Sequence, residues 1–225
     1  PGIAQSETIV QWIREKKIKL LSDIELFGRH SNAPIIGITG SNGKSTVTQL
    51  LGEMALASRL NAVICGNIGS PVMESISDTA DLYIVELSSY QLDYTSELDL
   101  FAGVITNISP DHLDRYPNYE AYITSKLSIY PYCENVIINL DEPLQSDMAG
   151  DSYFAIEKNN SNCSFLARQA GSSYEVFYKD KCLVSSSELL VVGKHNIENL
   201  LAALTLGYQF GLPIDEMIKA AKTFK

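Results

Sequence analysis

The fold is decided near the start of the chain by residues 35–46, which read Ile35-Ile36-Gly37-Ile38-Thr39-Gly40-Ser41-Asn42-Gly43-Lys44-Ser45-Thr46. The apolar run predicts a buried strand, and the residues after the loop predict a helix. Between them, glycines let the backbone turn tightly so that its N–H groups point at a phosphate. Lys44 would reach the terminal phosphates, and the Ser45 hydroxyl would bind magnesium. The stretch therefore predicts a phosphate-binding loop.

The loop departs from the usual pattern at its first position. The pattern G-x-x-x-x-G-K-[ST] calls for a small residue where this chain has Ile38, with Gly37 one step too early. We interpret the loop as a variant that still binds nucleotide; the alternative is a glycine-rich turn with a solvated lysine. The residues expected to bind nucleotide are Gly40, Ser41, Asn42, Gly43, Lys44, Ser45 and Thr46.

Apolar strand-like runs alternate with helical patterns along most of the chain. The runs are residues 34–39, 62–65, 82–85, 102–106 and 136–139. This alternation predicts an α/β fold of the P-loop type, with a mostly parallel sheet and helices on both faces. From Tyr153 to Val192, short alternating segments with turn signals at Asn159-Asn160, Gly171-Ser172 and Lys179-Asp180 predict a small antiparallel extension. Helices are predicted again at 195–208 and 213–222.

Charge and composition exclude several classes of protein. The formal net charge of -10 opposes a general electrostatic hold on nucleic acid or on an anionic membrane. The 4 cysteines form no C-x-x-C pair and read as reduced thiols. No apolar run approaches the ~18 residues of a membrane-spanning helix, and no signal peptide is evident. We therefore expect a cytoplasmic protein with neither nucleic acid nor membrane as a partner.

A carboxylate at the end of a buried strand is the candidate second ligand for magnesium. Glu86 ends the apolar run 82–85, at the edge where a parallel sheet presents its carboxyl ends to ligands. The alternative is a solvated residue at the rim of the sheet. A GTPase that reads guanine would be expected to carry Asn-Lys-x-Asp after a later strand. This chain has Asn139-Leu140-Asp141 without the lysine, so these residues are interpreted as a turn.

Several motifs follow one another in order along the chain. They are residues 39–46, Gly66-Asn67-Ile68-Gly69, Glu86-Leu87-Ser88-Ser89-Tyr90-Gln91-Leu92, Asp111-His112-Leu113-Asp114-Arg115-Tyr116 and His195-Asn196-Ile197-Glu198-Asn199. With these motifs the sequence closely resembles the Mur ligases over its whole length. The resemblance implies an ATP-dependent, amide-bond-forming ligase of bacterial peptidoglycan synthesis that works through an acyl phosphate.

The resemblance also implies partners and domains. Two of the motifs have the form of the family member that adds D-glutamate to UDP-N-acetylmuramoyl-L-alanine, which are the expected substrates of the full-length enzyme. Residues 1–22 would be the tail and linker of an N-terminal UDP-binding domain, and residues 23–225 the central ATP-binding domain. The C-terminal domain of such enzymes is not expected within this sequence. We therefore expect this fragment to bind Mg-ATP without completing ligation, and the full-length enzyme to be a cytoplasmic monomer.

Catalytic and metal-binding roles follow from the same resemblance. Lys126 matches the lysine that Mur ligases carry as a carbamate formed with CO₂; without the family it would be interpreted as a solvated lysine on a helix. His112 matches the metal-site histidine of the family. Two magnesium ions are implied, one on Ser45 and Glu86 and one on His112 and carbamylated Lys126. Lys44, His112 and Lys126 are the expected catalytic residues.

Other positions match ligand contacts of the family. Asn67, Ser88 and His112 fall where the ligases contact the phosphates or the muramoyl substrate, although Asn67 would otherwise be read as part of a plain turn. Asn196 and Asn199 match positions near the adenine, with helix capping as the competing role of Asn196. Two other functions remain open: a module that only binds nucleotide, and a ligase similar to folylpolyglutamate synthetase.

Overall fold

The computed structural model describes residues 2–157 and 163–225. In this part of the chain, one sheet contains the strands β1 (Ile35–Thr39), β2 (Ala62–Gly66), β3 (Leu82–Glu86), β4 (Leu100–Ile105), β5 (Cys133–Asn139), β6 (Ser152–Ile156), β7 (Cys163–Ala170), β8 (Ser173–Tyr178) and β9 (Lys181–Ser185). The strand order is β2-β3-β1-β4-β5-β6-β7-β8-β9. Strand β1 lies between β3 and β4, so the connections leave it in opposite directions, which makes its carboxyl end a site for ligands.

Helices cover both faces of the sheet, as the sequence predicts. They are α1 (Thr8–Glu15), α2 (Asp23–His30), α3 (Lys44–Ala57), α4 (Ser89–Leu92), α5 (Tyr119–Leu127), α6 (Lys194–Phe210) and α7 (Ile214–Thr223), with short 3₁₀ turns at Val72–Ser75, Tyr130–Tyr132 and Ser186–Glu188. One buried cluster joins α3, α6 and α7 to the sheet, and a second joins α2, α4 and α5 to the opposite face. None of the helices described has the length and apolar character needed to cross a bilayer.

The first strand shows why the loop pattern is shifted. Ile36 and Ile38 point into the cluster under α3, and Ile35 belongs to the cluster on the other face. A Cβ on Gly37 would lie 2.7 Å from Leu100 Cδ1. Gly37 is therefore a packing residue, and Ile38 fills the core where the usual pattern has its first glycine.

The antiparallel prediction for 153–192 is wrong at its start. Strand β7 pairs with β6 in parallel, whereas β8 pairs antiparallel with both β7 and β9. The turns at Gly171 (φ 63°) and Lys179 (φ 52°) confirm two of the predicted turn signals. The third signal, Asn159-Asn160, lies outside the described residues. Alternation of side chains has the same period in both strand directions, so the pattern did not distinguish them.

Candidate active site

Glycine backbone shapes the loop between β1 and α3. Gly40 has a φ of 145° and Gly43 a φ of 82°, both rare for residues with a side chain. A Cβ on Gly40 would lie 2.0 Å from Thr106 Oγ1. Gly43 is the N-cap of α3, so the first N–H groups of that helix face the loop. The predicted anion cradle therefore has the expected backbone, and Ser45 and Thr46 lie in the first turn of α3.

The segment after β4 braces this loop. The Ser41 and Asn42 N–H groups donate to the Asn107 carbonyl and to Asn107 Oδ1, each at 2.9 Å. Thr106 Oγ1 donates to the Asn42 carbonyl at 2.6 Å. Neither Thr106 nor Asn107 was predicted from the sequence to be a site residue. Their position after a buried strand, at the carboxyl edge of the sheet, is the signal that could have found them.

Lys44 lies at the mouth of the loop. Its Nζ donates to the carbonyls of Gly40 and Ser41, both at 2.9 Å. Burial lowers the pKa of Lys44 from its ordinary value, against the opposing effect of the Glu86 and Asp111 carboxylates. The ammonium group is therefore partly desolvated and directed at the loop that the sequence assigns to phosphate.

Glu86 is buried at the end of β3 and receives hydrogen bonds from two other predicted site residues. Ser45 Oγ donates to Glu86 Oε2 at 2.7 Å, and Asn67 Nδ2 donates to Glu86 Oε1 at 2.8 Å. Its exposed fraction is only 2%. The alternative of a solvated rim residue is therefore wrong. A carboxylate beside a hydroxyl is a hard-oxygen pair of the kind that magnesium binds together with phosphate oxygens.

Lys126 is buried, contrary to its reading as a solvated lysine. It lies on α5, which Asn118 caps by accepting a hydrogen bond from the Ala121 N–H group at 2.9 Å. Lys126 Nζ donates to Thr39 Oγ1 at 3.1 Å, so the last residue of β1 holds it. Burial and the neighbouring Lys44 ammonium lower the pKa of Lys126 to about 7. A neutral amine is therefore accessible near neutral pH.

One cavity of about 170 Å³ brings six of the predicted site residues together. It is lined by Gly40, Lys44, Asn67, Ser88, Ser89, Tyr90, His112, Tyr122 and Lys126. Tyr122 is buried in the cluster that packs α5 on the sheet, and its hydroxyl also lies 2.8 Å from Ser41 Oγ. Its spacing of one helical turn from Lys126 was the signal for a shared face.

The two asparagines of the last motif do not line this cavity. Asn199 is buried against the phosphate loop, and a Cβ on Gly43 would lie 2.2 Å from its Oδ1. Asn196 Nδ2 donates to the Val192 carbonyl at 2.7 Å, while Gly193 is the N-cap of α6. Asn196 therefore does not cap the helix through its side chain, and the adenine contacts of both residues stay a prediction.

The predicted metal ligands fall into two pairs. Among the described residues, no three His, Cys, Asp or Glu side chains converge into a metal-binding group. Ser45 with Glu86 fits magnesium as it stands, since phosphate oxygens and water would complete its shell. His112 with Lys126 fits only if Lys126 carries oxygen atoms, because an ammonium group cannot be a ligand.

Fold and site together define an α/β protein of the P-loop type, with its loop at the switch point of a mostly parallel sheet. Residues 38–207 match the family described as the Mur ligase middle domain. The chain belongs to the Mur ligase family.

Curated relatives agree with this family. The whole chain is 42% identical to the UDP-N-acetylmuramoylalanine–D-glutamate ligase of Marinobacter nauticus and 37% identical to that of Pseudomonas aeruginosa. Each match covers 100% of this chain and 51% of the relative, so the chain spans about half the length of these proteins.

Solved structures agree with the fold. A pseudomurein peptide ligase type C from Methanothermus fervidus superposes with a TM-score of 0.72 at 20% identity, covering 100% of this chain and 56% of that one. MurF from Acinetobacter baumannii superposes with a TM-score of 0.70 at 18% identity, and the match covers 88% of this chain and 48% of MurF.

Proposed function

We propose that this chain is the ATP- and magnesium-binding part of a ligase that adds D-glutamate to UDP-N-acetylmuramoyl-L-alanine in bacterial peptidoglycan synthesis. The names of the relatives that match the whole chain support the substrates. The cavity supports the chemistry, because Lys44 at the phosphate loop lines it together with His112 and Lys126, the residues that would hold a magnesium ion on the acceptor side. Phosphoryl transfer between two anions needs positive charge on both sides of the transferred group.

The reaction would run in two displacements. The substrate carboxylate attacks the γ-phosphate of ATP, and ADP leaves from the resulting acyl phosphate. The amine of D-glutamate then attacks the acyl carbon, phosphate leaves, and the amine gives up a proton. The N–H groups of the loop and Lys44 orient the phosphates, while Asn67 and Ser88 line the cavity that would receive the carboxylate.

Magnesium would neutralise charge on the phosphates and on the incoming carboxylate. Ser45 and Glu86 would hold one ion, and His112 with carbamylated Lys126 a second. In the carbamate, the neutral Lys126 amine bonds to the carbon of CO₂ and loses a proton. Its lowered pKa supports this, since the amine and not the ammonium group is the nucleophile.

Carbon-13 NMR tests the carbamate directly. The chain in ¹³C-bicarbonate at mildly alkaline pH is expected to give a carbamate signal that Lys126→Gln removes. Lys181→Gln, at an exposed lysine on β9, is the control and should keep the signal. A wild-type spectrum without the signal, or a signal that survives Lys126→Gln, would contradict the assignment.

Nucleotide binding is tested by calorimetry. We expect this chain to bind ATP with magnesium more tightly than without it, and to make no peptide bond. Lys44→Ala should abolish the binding, because it removes the ammonium group at the loop, whereas Lys181→Ala should not. Unchanged binding by Lys44→Ala would overturn the role of the loop.

The substrates are tested on the full-length protein. Phosphate release is expected to require UDP-N-acetylmuramoyl-L-alanine and to be lost in Lys44→Ala. Release triggered by a folate acceptor instead would favour the ligase similar to folylpolyglutamate synthetase. Ligation by the 225-residue chain alone would contradict the proposal that this part binds Mg-ATP but cannot form the peptide bond.

A further inference from the structure

The ring of Tyr90 contacts two residues of the 111–116 motif. The Arg115 guanidinium carbon is 3.9 Å from the centre of the Tyr90 ring. The centre of the His112 imidazole is 5.0 Å from the same ring, tilted by 56°. Both separations are within the range of attractive cation–π and aromatic contacts. Arg115, Tyr90 and His112 therefore form one contiguous cluster, which we call the Tyr90 cluster.

Arg115 connects the Tyr90 cluster to residues 2–3 near the start of the chain. Its Nη1 donates to the Gly2 carbonyl and its Nη2 to the Ile3 carbonyl, both at 2.8 Å. The Tyr94 hydroxyl also donates to the Ile3 carbonyl, at 2.7 Å. A guanidinium group that grips two successive carbonyls is fixed in orientation as well as in position. The place of residues 2–3 is thereby linked to the Tyr90 ring.

His112 depends on side-chain contacts for its direction. Its φ of 53° is in the left-handed region, where few residues with a side chain are found. Its Nε2 lies 3.5 Å from Asp111 Oδ2, a neighbour on the same exposed segment. Its ring contacts are Tyr90 at 5.0 Å and Tyr122 at 6.4 Å between centres. Of these two rings, Tyr90 is the nearer.

We propose that Tyr90 is a positioning residue that directs the His112 imidazole into the cavity, and that Arg115 makes this direction depend on residues 2–3. The inference rests on the proposed function for its catalytic consequence, but the contact itself does not. It assigns a coupling between the segment at the start of the chain and the acceptor side of the site. Displacing that segment should loosen His112 without touching the phosphate loop.

Histidine NMR of the 225-residue chain tests the contact, since the sequence has only 3 His. Tyr90→Leu should shift the carbon-bound imidazole signals of His112, because they lose the ring current of the tyrosine. The signals of His30 and His195 should stay in place. Tyr90→Phe keeps a ring and should restore the wild-type signals. His112→Asn, whose side chain tolerates the left-handed backbone, assigns the resonance.

A separate set of variants tests the link between Arg115 and residues 2–3. Arg115→Met and a chain shortened to begin at Ala4 should each move the His112 signals, and the two changes combined should move them no further than Arg115→Met alone. Additive shifts, or none, would overturn the link through Arg115. If Tyr90→Leu folds and leaves the His112 signals unchanged, the whole proposal is overturned.

The catalytic consequence is tested on the full-length enzyme. Tyr90→Leu should lower kcat by about 10-fold or more through misplacement of His112, while the KM for ATP changes by less than about 3-fold. Tyr90→Phe should recover kcat. A rise in the KM for ATP at unchanged kcat would contradict the positioning role. If the wild-type enzyme adds no D-glutamate, the proposed function fails, and the NMR arms still decide the contact.

Discussion

Gly43 is the N-cap of α3, with a φ of 82°, and lies against Asn199 Oδ1, which a Cβ would approach to 2.2 Å. Gly43→Ala therefore adds a steric conflict to the backbone strain. We expect it to lower the free energy of unfolding by about 2–4 kcal/mol, from the left-handed backbone and from crowding of the buried asparagine. Urea denaturation measures this loss.

Gly171→Ala is the matched control, because Gly171 also has a positive φ, 63°, but no heavy atom within 4 Å of its Cβ position. It should cost only about 1–2 kcal/mol, from the backbone alone. Asn199→Ala in the Gly43→Ala background should recover part of the loss. If Gly43→Ala and Gly171→Ala lower the free energy of unfolding equally, the contact with Asn199 contributes nothing to the effect.

Single residues differed in how far the sequence could predict them. Lys44, Ser45 and Glu86 could be placed from physical argument, because loop glycines and a strand end specify a position in the fold. Lys126 could not, since a lysine on a helix is normally solvated and its burial depends on contacts distant in the sequence. Its role came from the family resemblance, and its burial from the structure.

At the scale of elements, the buried carboxylate of Glu25 fastens α2 to the segment after α4. Its Oε2 accepts hydrogen bonds from the Ser96 N–H and hydroxyl groups, both at 2.9 Å, and its Oε1 lies 2.6 Å from Arg29 Nη2. Burial raises the pKa of Glu25, but the hydrogen bonds from Ser96 and Glu97 and the nearby Lys19 ammonium outweigh it, so that the pKa is lowered from its ordinary value. The charged form is therefore favoured in the folded protein.

Glu25→Gln should lower the melting temperature at pH 7, because the amide cannot replace the charge in these contacts. A lowered folded pKa contributes stability that is complete above the unfolded value of 4.5 and is lost as the pH falls through the folded value. The difference in melting temperature between wild type and variant should therefore shrink as the pH falls through the folded-state pKa of Glu25. Calorimetric melting from pH 7 downwards checks it.

Glu188→Gln serves as the comparison, since Glu188 pairs with Lys222 at 2.6 Å on the exposed surface. Its effect should be small and should fade with added salt. A Glu25→Gln effect that persists unchanged into acid would assign the loss to packing, and not to charge.

The direction of individual strands was harder to predict than their existence. The runs at 34–39, 82–85 and 136–139 became β1, β3 and β5 because they are continuous and apolar, as buried parallel strands require. The pairing of β6 with β7 depends on the path of the chain between them, which alternation does not encode. Turn chemistry did predict the hairpin at Gly171.

At the scale of the whole molecule, the site is assembled from both faces of the sheet. Lys44 opens α3 on one face, and Lys126 comes from α5 on the other. They meet only because β1 occupies the switch point of the strand order. The fold class predicted from the alternating pattern therefore located the edge that carries the site.

Long-range contacts were beyond the sequence. Arg115 and Ile3 are separated by 112 positions, and no local periodicity relates them. Only the packing of α4 and of the loop before α5 brings them together. The overall negative charge likewise gave no hint that two lysines share one cavity.

The hydroxyl of Thr39 holds the Lys126 amine, and the very next residue starts the phosphate loop. The phosphate loop and the Lys126 amine are thus both attached to the carboxyl end of β1, which is buried between β3 and β4. We expect an insertion between β8 and β9, at the far end of the strand order, to leave the separation of Lys44 and Lys126 unchanged. In the proposed reaction, the distance between phosphate donor and acceptor would therefore be set by this one strand end and not by the margins of the sheet.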